Sequence, residues 1–383
     1  MILDEIDPAS RATLEQHGFD DEQFEELRRR LVDGSLTTAG NVIQGVVEPP
    51  LPSDLVPLPE PGDPSFAEAE AAGIDRLQAG TVAMVVLAGG MATRFGGGVK
   101  AIAEAIDGRS FLEVKLDETA RLGATLGAEI PVALMTSFAT DDAIRAHVAE
   151  KRLGDPLWFC QTAAPRLQAN GSVFVEEDGK ASLYGPGHGD VLTIIRSSGT
   201  LAELQRRGVR TIVVSNVDNL GARLDPVVVG MHALAGTPLT VEVVAKGVDT
   251  GGAPARVDGS PQLLEAMRFP PEFDQSRISV FNTNTALIEV DALSEPIELT
   301  WLVVEKTVGD RTAVQFERLY HELSAHVSTT FLVVPRDGPR GRFLPVKEPS
   351  DLVEVQPRLR EMLATPLADA EEHTAPSKRA AQP

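Results

Sequence analysis

The sequence predicts an α/β protein built on a mostly parallel mixed sheet covered by helices. Three observations carry that expectation. Thr81 to Ala88 is apolar and β-branched enough to be a strand buried on both faces. From there to Lys246 such runs alternate with helical ones, which implies crossover connections. The first run also breaks directly into a glycine loop, and ligands gather where buried parallel strands end.

Taken in order, Pro8 to His17 reads as a helix ended by Gly18, and Asp21 to Asp33 as a second one with Phe24, Leu27 and Leu31 on one face and Gly34 behind. Both are expected to pack on the main domain. Glu48 to Pro64 holds seven prolines, too many for a helix or a central strand, so it should run extended across the surface. After the glycine loop, Ser110 to Leu126 suits a helix packed on a sheet. Pro131–Ser137 is a strand, Asp141–Lys151 a helix, Leu157–Gln161 a strand and Leu201–Arg207 a helix. Thr211–Asn216, Pro226–Leu234 and Thr240–Lys246 continue the alternation as strand, helix and strand. Ile278 to Val290 is strand-like, and residues 351 to 363 form a capped helix.

Length and charge bound the function. A chain of 383 residues, 43% hydrophobic, can bury a large core. Its net charge of −21 argues against nucleic acid as a partner, because binding a polyanion relies on clustered Lys and Arg. Any anionic ligand must then be held by a few placed cations. Cys160 is the single cysteine, so no intrachain disulfide can form and a reducing compartment is the natural reading. No apolar run reaches the roughly 18 residues of a spanning helix, so no membrane role is expected and the protein reads as cytoplasmic.

The chemistry concentrates in five stretches. Val85 to Lys100 (VVLAGGMATRFGGGVK) is a glycine loop in which backbone N–H groups can approach an anion while Arg94 and Lys100 supply positive charge. It fits neither a Walker loop, since Lys100 precedes Ala101, nor a dinucleotide fingerprint. Leu183 to Asp190 (LYGPGHGD) must be a shaped loop, an ordinary turn on its glycines alone, but one where His188 between two glycines has room to reach a phosphate or a hydroxyl. In Ser215 to Gly221 (SNVDNLG), at the end of a strand, Asp218 is a candidate Mg²⁺ ligand, because that ion takes one or two carboxylates plus substrate phosphates; a helix cap is the ordinary alternative. Phe281 to Thr285 (FNTNT) buries amides and hydroxyls that need partners, either a sugar or neighbouring backbone, and Glu265 could accept from sugar hydroxyls. Arg342 to Lys347 (RFLPVK) sets Lys347 before the last helix, in isolation a solvated lysine.

Together these blocks, with Phe159-Cys160-Gln161 and Pro165-Arg166, resemble in order the UDP-sugar pyrophosphorylases over roughly residues 82 to 360, the UTP–glucose-1-phosphate uridylyltransferases of eukaryotic type above all. The resemblance implies a Rossmann-like nucleotidyltransferase (GT-A-like) fold, with an N-terminal helical extension and linker over 1–75, a catalytic domain over 76–327 and a short C-terminal α/β part over 328–364; 365–383, rich in Ala, Pro and charge, is expected to be a disordered tail. The resemblance also implies UTP and a sugar 1-phosphate as substrates, with Mg²⁺. By position, Leu87, Ala88, Gly89, Gly90, Met135, Gln161 and Gly187 would line the uridine pocket. Arg94, Lys100, Lys246 and Lys347 would act on the phosphates. His188, Asn219, Glu265, Asn282, Thr283 and Asn284 would surround the sugar phosphate, and Asp218 would hold the metal. Two positions depart from the family: Ala92 stands in place of glycine, and Val99, in place of proline, is expected to free the chain before Lys100. The alternatives are N-acetylglucosamine 1-phosphate as the sugar, or a UTP or UDP-sugar binding protein with weakened catalysis. The relatives often carry a C-terminal β-helix used in oligomerisation, and with about 20 residues after the last helix here a monomer or weak dimer is expected.

Overall fold

The computed structural model describes residues 1–91, 97–247, 249, 251–346 and 348–367. Its centre is one eight-stranded sheet. Its strands in chain order are β1 (Leu55–Pro57), β2 (Val82–Leu87), β3 (Val132–Thr136), β4 (Leu157–Cys160), β5 (Thr211–Asn216), β6 (Leu239–Ala245), β7 (Val280–Glu289) and β8 (Thr329–Val333). Their spatial order is β1-β8-β6-β7-β5-β2-β3-β4. All neighbours are parallel except at β7, which runs antiparallel to both β5 and β6. The sheet is thus mixed and mostly parallel, as the alternation of elements predicts.

Side chains alternate along β2 with the two-residue period of a strand. Val82, Met84, Val86 and Ala88 enter one core, and Ala83, Val85 and Leu87 the other. The first core is covered by α3 (Pro64–Gln78), α4 (Phe111–Leu126), α5 (Asp141–Lys151), α8 (Pro226–Ala235) and α9 (Pro349–Ala364). The second lies under α6 (Asp190–Ser197) and α7 (Thr200–Arg206). Helix starts follow local chemistry. Ser110 and Glu113 form a capping box at α4, and the Asp225 carboxylate accepts from Val227 N at α8.

The N-terminal helices, α1 (Pro8–Gln16) and α2 (Asp21–Val32), do pack on the main body. Leu14, Phe24 and Leu27 share a cluster with Ala163, Leu167, Tyr184, Val314 and Phe316. Two features differ from the sequence reading. The proline-rich stretch is not only a surface crossing, because Leu55–Pro57 pairs with β8 as the edge strand β1; an edge is where a proline without an N–H is tolerated. Helix α3 then runs across the 75/76 division, while β8 inserts the C-terminal part into the central sheet beside β6.

Helices α3 and α8 cross where Gly73 and Gly230 face each other's backbone: a Cβ on Gly230 would overlap the Ala69 carbonyl, and one on Gly73 the Pro226 carbonyl. Neither neighbour is a side chain that can rotate away. Gly230→Ala is expected to lower unfolding free energy by about 1–3 kcal/mol or more, read as a lower urea midpoint; an unchanged midpoint would contradict this packing.

Candidate active site

At the carboxyl edge of β2, β3, β4 and β5 the chain encloses a cavity of about 420 Å³. Register places Asn216 beside Leu87 and Leu87 beside Met135, so the loops leaving these strands converge there. Its walls include Leu87, Gly89, Gly90, Lys100, Met135, Gln161, Gly187, His188 and Asp218, all named from the sequence. Met91, Ser137, Phe138, Arg166, Tyr184, Gly185, Asn216 and Gln315 join them. Arg94 and Ala92 lie outside the described residues, as does Lys347.

One wall is built to present an acceptor. The Gln161 amide nitrogen donates to Gly187 O at 2.6 Å, so its Oε1 is the atom left facing other partners. A side chain at Gly185 would overlap Gln161, which explains glycine there. Ser137 Oγ donates to Gly89 O at 2.9 Å and ties the glycine loop to β3. Arg166 closes the far side, donating to Ser182 Oγ and Leu183 O at 2.9 and 2.7 Å and to Gln315 Oε1 at 3.1 Å.

The opposite wall is charged. Lys100 Nζ donates to Asp218 Oδ2 at 2.6 Å, both groups being largely buried. Asp218 is the one carboxylate among the described residues lining the cavity, and it caps no helix. A single carboxylate on the cavity wall fits the donor set of Mg²⁺, which takes its remaining ligands from phosphates and water. Val99 does not free the chain before Lys100. It is buried in the core and its backbone bridges Met91.

Other expected residues sit elsewhere. Ala88 faces the core on the other side of the sheet. Asn219 is spent on backbone: its Nδ2 donates to Arg342 O at 3.1 Å, and its Oδ1 accepts from Leu344 N at 2.9 Å. Lys246 donates to Gln275 O at 3.0 Å. Within FNTNT, Thr283 Oγ donates to Glu242 O and Asn284 Nδ2 to Asn216 Oδ1 at 2.8 Å, whereas the buried Thr285 hydroxyl has no partner among the described residues. A register irregularity in β6 between Val241 and Val243 lies opposite this segment, and Asn284 takes φ +60°. His188, Glu265 and Asn282 meet beside the cavity around His321, a residue no motif marked. Burial raises the Glu265 carboxyl to about 7 and lowers the His188 imidazole to about 4.

Beneath the charged wall is a second residue no motif marked. Lys115, on α4, donates to Ser215 Oγ and Ala222 O, both at 3.0 Å, and so pins both ends of the turn that carries Asp218. Its one signal is a lysine at a core position of a helix reading Phe111, Leu112, Val114, Leu116. Burial strips water from its charged form and brings its amine from 10.5 to about 7, against the attraction of Asp218. The unfolded chain then binds a proton between about pH 7 and 10.5 that the folded chain does not, so this group makes stability rise with pH across that window. Lys115→Met is expected to flatten that rise in urea titrations from pH 7 to 10; parallel wild-type and variant curves would contradict it.

A family model described as UTP–glucose-1-phosphate uridylyltransferase matches residues 24–378. A Solanum tuberosum protein of that name is 31% identical over 287 residues, covering 70% of this chain and 60% of its own length. A Schizosaccharomyces pombe protein, named as probably the same, is 30% identical over 329 residues, covering 79% and 64%. The chain thus spans less than two thirds of these curated relatives. Among solved structures, a Trypanosoma brucei UDP-glucose phosphorylase superposes with a TM-score of 0.69 at 24% identity, covering 91% of this chain and 78% of that one. A Trypanosoma brucei uridine diphosphate N-acetylglucosamine pyrophosphorylase gives 0.73 at 20%, covering 92% and 80%. These structural likenesses carry the fold.

Proposed function

Because the chain belongs to the UTP–glucose-1-phosphate uridylyltransferase family, we propose that it joins UTP and glucose 1-phosphate into UDP-glucose, releasing pyrophosphate. The observation that carries this reading is one cavity with a fixed amide acceptor on one wall and the Lys100–Asp218 pair on the other.

Gln161 Oε1 can only accept. Uracil offers N3–H at the matching edge, whereas cytosine offers a lone pair there, so an oxygen held at that edge favours uracil. Gly89 and Gly90 let the backbone approach the phosphates. Lys100 places a cation beside them.

The reaction needs no acid or base from the protein. A phosphate oxygen of the sugar 1-phosphate, already anionic, attacks the α-phosphorus of UTP; the new P–O bond forms as the bond to the β-phosphate oxygen breaks, and its electron pair leaves with pyrophosphate. The protein aligns the two and balances the charge that moves onto the leaving group. Mg²⁺, bound with the triphosphate at Asp218, would add positive charge at the same place. One phosphoanhydride replaces another, so the direction follows from removal of pyrophosphate.

The test is Mg²⁺-dependent pyrophosphate release from UTP, with glucose 1-phosphate and N-acetylglucosamine 1-phosphate in separate reactions. Release with glucose 1-phosphate is expected. Release with only the acetamido sugar would correct the substrate, and UTP binding without release would leave a binding protein. Lys100→Ala is expected to lower turnover about 100-fold with a small change in the unfolding midpoint; unchanged turnover would remove Lys100 from the chemistry.

A further inference from the structure

Lys115 stands early in α4, just behind the Ser110–Glu113 capping box, and its helix neighbours Phe111, Leu112, Val114 and Leu116 are all buried. Lys115 itself is 6% exposed. Burying an amine where leucine would pack is costly, and a break with local pattern of this kind points to function.

Its contacts say where that function lies. The two partners of its Nζ, Ser215 Oγ and Ala222 O, stand on either side of the turn 216–221, and Asn216, Val217 and Asp218 of that turn line the cavity. Lys115 does not line it, so it acts through the turn and not on a bound substrate. No other side chain among the described residues bonds both ends of the turn. Two N–H groups are as many as an uncharged amine can give, so the clamp does not depend on the charge that burial disfavours.

The turn needs holding. Its own backbone bonds, Asn219 N to Asn216 O at 3.4 Å and Ala222 N to Asn219 O at 3.2 Å, lie at or beyond the long end of the usual range. From the cavity side Lys100 pulls on the Asp218 carboxylate at 2.6 Å. Mg²⁺ demands near-octahedral oxygens at about 2.0–2.1 Å, so a carboxylate that drifts by about 1 Å no longer serves it. A clamp rooted in a capped helix supplies the rigidity that the turn lacks.

We propose that Lys115 is a positioning residue for uridylyl transfer, clamping the turn so that Asp218 is presented where the metal and the triphosphate would meet. This rests on the uridylyltransferase reading and on Asp218 as the carboxylate of the metal, and it adds a residue that touches no substrate and belongs to no motif.

The test is calorimetric titration of UTP, in Mg²⁺ and in EDTA, into wild type, Lys115→Met, Ser215→Ala and the double variant. Lys115→Met is expected to lower UTP affinity in Mg²⁺ by about tenfold or more and in EDTA by less than about twofold. Ser215→Ala should lose part of the same Mg²⁺-dependent affinity, and the double variant should match Lys115→Met within about twofold, because one clamp has been removed from both ends. In steady state Lys115→Met should lower kcat about 10–100-fold at unchanged KM for glucose 1-phosphate. Equal weakening in Mg²⁺ and EDTA would make Lys115 merely structural and overturn the proposal, as would no change in either or additive losses in the double variant. If Lys115→Met does not fold, Ser215→Ala decides by the same ratio. Wild type that binds UTP no better in Mg²⁺ than in EDTA would overturn the proposal by removing the metal from Asp218, whereas wild type that does not bind UTP at all would overturn the functional reading beneath it.

Discussion

The site depends on a buried ion pair at the centre of the sheet. Arg342 donates to both oxygens of Glu242 on β6, at 2.8 and 2.6 Å, and to Arg223 O at 2.9 Å, with both side chains almost wholly removed from water. Burying two charges is costly, and what makes it tolerable is this two-pronged geometry plus the third bond. Loss of one partner would leave the other stranded, a cost of about 3–5 kcal/mol. The pair brings residues 342–346 against the turn after β5. Asn219 bonds that segment twice, Val346 N donates to Asp218 O at 3.3 Å, and a Cβ on Gly221 would approach Arg342 C to 2.7 Å. Next to it Arg340 grips Asp225 at 2.8 Å, the same carboxylate that caps α8. Asp218 is therefore positioned from above by the C-terminal segment and from below by Lys115.

Much of the fold could be read from local pattern because local pattern decides it. The runs at Val82–Leu87, Val132–Thr136 and Thr211–Asn216 are apolar without alternation, since both faces of a covered sheet are core. Asp225-Pro226 begins a helix for reasons contained in four residues. The edge strand at Leu55–Pro57 was not legible that way, because proline density argues only against a central strand; its pairing depends on β8, more than 270 residues further on.

The candidate site divides along the same line. Glycines and a strand end announce a phosphate loop, and Gly89, Gly90 and Lys100 do line the cavity. Position in a motif does not say which way a side chain faces. Ala88 belongs to the opposite core by strand alternation, and Thr283 and Asn284 are used up by the irregular stretch of β7 and β6 in which they sit. Lys115 and His321 were hidden for the converse reason. Each gains its meaning from partners roughly 50 to 130 residues away in sequence, such as Ser215 for Lys115 and Glu265 and His188 for His321.

The central claim is that this cavity reads a uracil edge through the Gln161 side-chain oxygen, which accepts. Calorimetric titration with UTP and CTP tests it most directly, since the two nucleotides carry the same phosphates and differ at the edge Gln161 faces. The account predicts that UTP binds and that CTP binds at least about tenfold more weakly. Equal affinity for the two, or no binding of either, would contradict it.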